Sequence, residues 1–472
     1  MEPPAEAPLP DCPTCRILVP QLESRLHQSE ARLLELETKL RDLEDRLKPP
    51  LPKRPLEPQP PAPAKKPTGK KRGAQPGHKP QLKKWLPVER VARFVPYIPE
   101  CCAKCDKALS PEAGPSDPKP TIHQVAELPK ILAEITQHEG HSRTCSCGHV
   151  THAAVPAEVR AHCLGPSITS MISYFSGSHG MSKRGIEETM ESIFDVPVAL
   201  GTIANSEQEM SEALAASYQE VRKHVAEAEV KYVDETGWKE RGLKRWLWAA
   251  ATATTALFRI HPKRNLDALK LLLGKLAGVL VSDRWAVYDN WDCETRQLCW
   301  AHAKRNWDKQ IERGGKAKAL GERWQARQKL VFELWHRFRG GGCTRGELGD
   351  LMVPHIDALG NLLHEGMRSG DTRLSSFCER LLDRYPLYWL FTAVEGVEPT
   401  NNHAERVQRR AVIWRKRSFG CQSSGGCRFV ERILTAVQTL RLQGRNTLEF
   451  LGRTLAAHRT GSIKPKLCVA NG

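Results

Sequence analysis

From Val230 onward the chain changes period in a way that few folds accommodate. VKYVDETGWK and KRWLWAAATATTALFRI read as three strands joined by short turns, with a hairpin meander in the middle. A helix is expected from Asn265 to Leu276, then a fourth apolar strand in GVLVSDRWAVYD, and QLCWAHAKRNWDKQ runs from strand into helix. Three antiparallel strands followed by alternating helix and strand specify a mixed α/β sheet with helices on its faces. Asp234 then lies within or at the end of a buried first strand and Asp283 at the end of the fourth, where neighbouring strand ends can bring two carboxylates together. Two like charges buried side by side are costly unless a cation sits between them, and hard oxygen ligands select magnesium or manganese.

Beyond this segment the pattern is helical from about Lys316 to Phe391, and then comes VEPTNNHAERVQRRAVIWRKRSFG. Thr400 or Asn401 can cap a helix on which Glu405 is followed at once by basic residues. A lone acid before a basic run is most often an ion-pair partner, and Arg409, four residues on, satisfies that reading. Spacing alone leaves Glu405 open between this pairing and a third ligand.

Charge narrows the partner. Lys and Arg number 71 against 54 Asp and Glu, a formal +17, which points to a polyanion such as nucleic acid. The excess is concentrated. Residues 53–90 hold eleven basic side chains and two acidic ones, and residues 406–417 hold six basic and none acidic. The longest weakly polar run, Leu247 to Phe258, is too short to span a bilayer, and MEPPAEAPLPDC has no basic or apolar leader, so a cytoplasmic protein away from membranes is expected.

Fifteen cysteines, an odd number diluted over a long chain, read as metal ligands and buried thiols rather than a disulfide framework. Cys102-x-x-Cys105 and Cys145-x-Cys147, 39 residues apart, lie near strand-like stretches at Gln124 to Leu128 and Ile131 to Ile135. Two close pairs can present four thiolates to one structural Zn2+. Cys101, His141 or His149 could replace a pair member, or no metal is bound. Cys12 and Cys15 stay unassigned.

The amino-terminal region has its own pattern. Leu22, Leu26, Ser29, Leu33, Leu36, Leu40, Leu43 and Leu47 recur at alternating spacings of four and three, a heptad seam suited to self-association through Leu26, Leu33, Leu36, Leu40, Leu43 and Leu47. A Pro- and Lys-rich linker follows, whose Lys70, Lys71 and Arg72 can lie along phosphates. Helices at Ile168 to Phe175, Ser182 to Phe194 and Leu200 to Met210, the second capped by Ser182, resemble a helix-turn-helix.

VDETGW, VSDRWAVYD with CWAHAKR, NNHAER with IWRKRSFG, the Gly425-Gly426 pair, AQPGH and the spaced cysteine pairs together resemble the insertion sequence sixty-six family of bacterial transposases, in order from about Gln75 to Leu451. The resemblance implies a ribonuclease H-like core with a helical insertion, and it places the acidic (DDE) catalytic triad on Asp234, Asp283 and Glu405 rather than on the neighbouring Glu235 or Asp289. The implied organisation is a coiled-coil segment (1–48), a basic linker (49–85), a zinc-finger-like module (86–155) and a helical DNA-binding region (156–225). The catalytic core (226–312 and 399–457), split by a helical insertion (313–398), and a tail (458–472) follow.

The implied activity is DNA transposition. Two divalent ions, Mg2+ or Mn2+, shared by the triad would activate water against the phosphodiester at an element end, and the freed 3′ hydroxyl would attack target DNA. Lys304, Arg305, Arg406, Arg409, Arg410, Arg415, Lys416 and Arg417 are expected to hold phosphates near the site. Trp300 and His302 read as a core pair or as a platform that orients a displaced nucleotide. Terminal inverted repeats and target DNA, a second copy of the chain and element-encoded accessory proteins are the expected partners, on the bacterial nucleoid. A DNA-binding regulator without catalysis, or a nuclease that cuts without joining, are the alternatives.

Overall fold

The computed structural model describes residues 85–468, apart from 113, 116, 129–130, 275 and 292–294. The leucine heptad, Cys12, Cys15 and the basic linker with Lys70, Lys71 and Arg72 lie outside the described residues. The chain divides into two units after residue 132.

In the first unit, residues 85–132, the Gln124 amide brackets the Leu86 backbone, accepting from its N–H (2.8 Å) and donating to its carbonyl (3.1 Å). The strand-like stretches expected at Gln124 to Leu128 and at Ile131 to Ile135, the latter crossing the unit boundary, join no sheet. Alternating apolar residues suggest a strand, but backbone N–H and C=O groups become a ladder only beside a partner segment.

The second unit opens with a small hairpin, β1 (Ser142–Thr144) and β2 (Val150–His152). After the short α1 (Ala157–Arg160) come α2 (Pro166–His179), α3 (Lys183–Phe194), α4 (Leu200–Ala213) and α5 (Ala215–Glu227). Ser182 caps α3 as expected, accepting from Gly185 N at 3.0 Å. A cluster of Ile172, Ile186, Met190 and Ile203 closes α2 to α4 on themselves. The same helices also dock on the carboxyl-terminal helices: Gly177 of α2 approaches Ile433 so closely that a Cβ would lie 2.4 Å from its side chain, and Arg459 is hydrogen-bonded to Glu209 at 2.7 Å. Helix α4 holds Glu207, Glu209 and Glu212 and no cation, a composition that argues against laying it along phosphates.

The central sheet has the order β5-β4-β3-β6-β7. Strands β3 (Val230–Glu240), β4 (Leu243–Ala251) and β5 (Ala256–His261) form the expected antiparallel meander. After α6 (Leu266–Leu273), strands β6 (Val279–Ser282) and β7 (Arg296–Leu298) add in parallel on the other side of β3. Helices α7 (Trp300–Glu312), α8 (Gly315–Arg339), α9 (Arg345–Met367) and α10 (Thr372–Leu382) follow, and α11 (Asn402–Ser418), α12 (Ser424–Leu442) and α13 (Thr447–Thr460) end the unit. No helix among the described residues is long and apolar enough to cross a membrane.

The edge strand β5 illustrates how side-chain period sets packing. Its outward N–H groups at Ala256, Phe258 and Ile260 donate to Thr439, Thr435 and Glu431 of α12 at 3.0, 3.0 and 2.7 Å. Two residues of strand rise about 6.6–6.8 Å and four residues of helix about 6 Å, so one helix face satisfies three successive orphan donors. An edge that could template aggregation is thereby closed.

Trp300 belongs to the core and not to a nucleotide platform. It is fully buried, donates from Nε1 to Tyr388 O at 2.7 Å and packs against Trp324, Phe332, Tyr388 and Trp389. This aromatic cluster binds the helical insertion to the first turn of α7.

Candidate active site

Asp234 lies on β3, and the parallel neighbour β6 ends at Ser282, one residue before Asp283. The pairing register couples Tyr232 to Val281, an offset of 49 residues, which is also the distance in sequence from Asp234 to Asp283. Continuing that register places the two acids at the same level of adjacent parallel strands, whose spacing is about 4.8 Å. Asp283 terminates its strand by accepting the Trp285 N–H at 2.9 Å.

Glu405 comes from the first turn of α11, more than a hundred residues later, and three latches hold that helix to β3. Asn401 donates from Nδ2 to Val233 O at 2.8 Å, immediately before Asp234. Gln408, its amide oriented to suit both neighbours, donates to Asp234 Oδ2 at 2.8 Å and accepts from Thr236 N at 3.2 Å. Arg415 donates to Thr236 Oγ1 and Gly237 O at 2.9 and 2.6 Å. Asn401 does occupy the N-cap position, but its side chain makes no capping bond. Its Nδ2 instead meets the buried Val233 carbonyl, and its Oδ1, the atom that would cap, is buried without a partner.

Asn401 is 1% exposed, so Asn401→Ala should lower stability by about 1–3 kcal/mol in urea unfolding. A loss below a few tenths of a kcal/mol would show that the latch is dispensable.

The electrostatics follow from this convergence. Burial, the adjoining Glu235, and then Asp283 and Glu405 push the Asp234 carboxyl up to about 8. The three acids are thus within mutual electrostatic reach. Glu405 does not pair with Arg409 as its spacing suggested; it meets Arg305 of α7 at 3.1 Å. Arg305 also contacts His302 Nε2 at 2.9 Å, and the His302 Nδ1 is buried without a partner. Burial, and then Arg305, lower the His302 pKa, while Asp283 and Glu405 act in the opposite direction.

The two neighbouring acids are engaged elsewhere. Glu235 alternates to the opposite side of β3 from Asp234, where it binds Arg264 and the Tyr288 hydroxyl. The Arg264 guanidinium lies over the Trp246 and Trp285 rings, 4.9 and 3.9 Å from their centroids. Asp289 is paired with Arg296 at 2.6 Å and Arg384 at 2.9 Å, and these contacts hold its carboxyl below the usual range against the opposing effect of burial.

The basic residues divide by what they contact. Arg406, Arg409, Lys416 and Arg417 are exposed along α11, and Lys304 and Arg305 are exposed on α7. Arg410 donates to Ser178 O at 3.0 Å and Arg417 to His179 O at 3.1 Å, so both, like Arg415, act as struts within the fold. Lys304 pairs with Asp308 one turn on, at 3.1 Å.

Each cysteine pair sits on its own turn in its own unit. Cys102 O accepts from Cys105 N (3.3 Å) and Asp106 N (2.9 Å), and backbone N–H groups, that of Lys104 foremost, lower the Cys102 pKa. Cys145 O accepts from Gly148 N at 2.9 Å, and the Cys147 N–H leads the lowering of the Cys145 pKa. Among the described residues no group of three or more His, Cys, Asp or Glu side chains stands ready to hold a metal ion.

Sequence reading missed Gln408, and it gave Asn401 and Arg305 other roles, a helix cap and a phosphate contact near the site. Gln408 was within reach, since it lies three residues after Glu405 on the same helix face. The pairing of Arg305 was not, because its partner is 100 residues away.

Residues 162–428, which contain all three acids, match the family described as Transposase IS66 family. A protein of Sinorhizobium fredii (strain NBRC 101917 / NGR234) described as "Uncharacterized protein y4qI" is similar, at 28% identity over 265 residues that cover 50% of this chain and 49% of the relative. The chain therefore spans about half the length of the curated relative it matches.

Proposed function

This chain belongs to the IS66 family of transposases, and from that premise we propose that it binds the ends of its insertion element and catalyses metal-dependent strand cleavage and strand transfer. The observation that carries the reading is the convergence of Asp234, Asp283 and Glu405 from two adjacent strands and a helix, close enough that the other two raise the pKa of Asp234. The sheet order, with three antiparallel strands and two parallel ones added beside the first, supports a ribonuclease H-like core.

The three carboxylates do not stand as one ready metal-holding group among the described residues, but they are hard donors of the kind that magnesium and manganese select, and a cation would relieve the burial and like charge that raise Asp234. Asp234, Asp283 and Glu405 would hold two such ions, which supply Lewis acidity toward the phosphate and lower the pKa of the attacking water. Gln408 orients Asp234 by its hydrogen bond to Oδ2, and Asn401 fixes the start of the helix that delivers Glu405. Arg305 pairs with Glu405 and would be free to turn to a phosphate once a cation met that charge. The exposed Arg406, Arg409 and Lys416 would position the DNA backbone without reading its sequence. The heptad seam would join two chains, one for each element end.

The test is cleavage of labelled DNA carrying the element ends that flank the gene, in magnesium or manganese. The intact chain should cut, and Asp283→Ala or Glu405→Ala should bind the DNA without cutting it. Cleavage retained by Glu405→Ala would remove it from the triad, and binding without cleavage by the intact chain would favour a DNA-binding regulator.

A further inference from the structure

Helix α11 ends in an unusual way. Its C-cap, Phe419, has φ +59°, and the next residue, Gly420, has φ +112°. Gly420 must be glycine, because a Cβ there would lie 2.1 Å from Lys239 O on β3. Phe419 has no such reason for its identity. A left-handed cap is most cheaply made by Gly or Asn, and for a bulky aromatic it is a true outlier. The other described non-glycine residues with positive φ are Asp106, Asp195 and Arg241, none of them aromatic. The Phe419 ring nevertheless stays 73% exposed, so the strain is not offset by burial in the core. Strain held at an exposed position points to a role outside the chain's own packing.

The surroundings say which role. Asn402, Arg406, Arg409, Ile413 and Lys416 are all exposed at successive steps of four, three, four and three, which makes one stripe along α11. The stripe starts beside Glu405 and ends beside Phe419, about 21 Å away along the helix, or roughly six base steps. Three exposed cations spaced along one helix face and an exposed flat ring at its end have the make-up of a single-strand site: a charged track with a stacking platform.

We propose that Phe419 stacks on an unpaired base of the DNA bound along α11, some six nucleotides from the cut. This rests on the transposase reading above and adds to it a contact with a base. The base is unpaired because bases inside a duplex already have stacking neighbours on both faces, so a single ring gains most where one neighbour is missing. Phenylalanine offers no hydrogen bond, so the contact tolerates any sequence.

The test uses a forked DNA whose single-stranded arm carries one 2-aminopurine, with calcium present so that binding proceeds without cutting, and a fully paired duplex of the same sequence as its control. The intact protein should quench the 2-aminopurine. Phe419→Trp should keep the quenching, while Phe419→Ala and Phe419→Gly should lose it and bind the fork about tenfold more weakly, with duplex binding unchanged. Phe419→Gly should also raise the melting temperature, because it relieves the backbone, which separates loss of stacking from loss of folding. Quenching and fork affinity unchanged in Phe419→Ala would overturn the proposal while leaving the transposase reading intact. An equal loss on fork and duplex, or a change in self-association instead of in DNA binding, would overturn it too. Failure of the intact protein to bind either DNA would sink both readings.

Discussion

Asp234→Asn should abolish DNA cleavage and at the same time make the ion-free protein more stable at neutral pH. In the fold, Asp234 holds its proton up to about pH 8, against an ordinary value of 3.8, because burial and three neighbouring acids oppose its charge. The folded state therefore binds the extra proton between those values, and the contribution of this group to stability is greatest below pH 3.8 and falls as pH rises through that window. Holding that proton costs the fold about 5 kcal/mol by pH 8. Asparagine keeps the shape and removes the charge.

Urea unfolding in a chelator at pH 5 and pH 8 should show the intact protein losing stability with rising pH and the variant losing much less. Glu235 keeps a residual slope in place, since burial raises its pKa as well. Magnesium should raise the melting temperature of the intact protein and leave that of Asp234→Asn nearly unmoved. Identical pH profiles for the two proteins would remove the electrostatic basis of the site, and retained cutting by the variant would displace Asp234 from the chemistry. The trade of stability for function is the one expected where like charges are gathered to hold a cation.

Gly420→Ala should be the most damaging single methyl in the chain's carboxyl-terminal half. Its Cβ would lie 2.1 Å from Lys239 O and 2.8 Å from Lys239 C, both backbone atoms that no rotamer change can move, at a φ of +112° that alanine avoids. Backbone strain and overpacking together give an expected loss of about 3–5 kcal/mol. The segment cannot simply retreat, because Cys421 N donates to Lys239 O at 2.9 Å and Arg241 N to Cys421 O at 2.8 Å, tying it to the end of β3. Thermal or urea denaturation measures the loss, and a change under 1 kcal/mol would mean that the turn can re-form elsewhere. Because the same turn ends the Glu405 helix, any folded Gly420→Ala protein should also cut DNA slowly.

Much of the architecture was legible because its causes are local. The switch to strand period at Val230, the alternation of helix and strand after His261, and Ser182 before α3 each act over a few residues, and the structure repeats them with shifts of a few positions at the ends. The spacing of Asp234 and Asp283 was legible in a stronger sense, since 49 residues is the register offset of two parallel strands. The strand-like stretches before Cys145 show the limit of local reading: they have the right side chains and no partner.

Tertiary structure decided the rest, because it depends on which distant groups meet. Spacing could not separate Asp234 from Glu235, adjacent acids on one strand, and only the motif resemblance favoured Asp234. Arg264 and Tyr288, from elements after it, hold Glu235 and leave Asp234 facing the helix of Glu405. Nor could sequence tell that Asn401 would bond Val233 O in place of capping its helix, or that of six cations in one run three would serve backbone carbonyls and three would line an open face. Residue type and order determined that acids, cations and an aromatic exist at fixed spacings. Long-range packing determined which of them are paired within the fold and which are left open at the surface, because a charge met by a partner is largely cancelled, while one left unmatched acts on whatever approaches it.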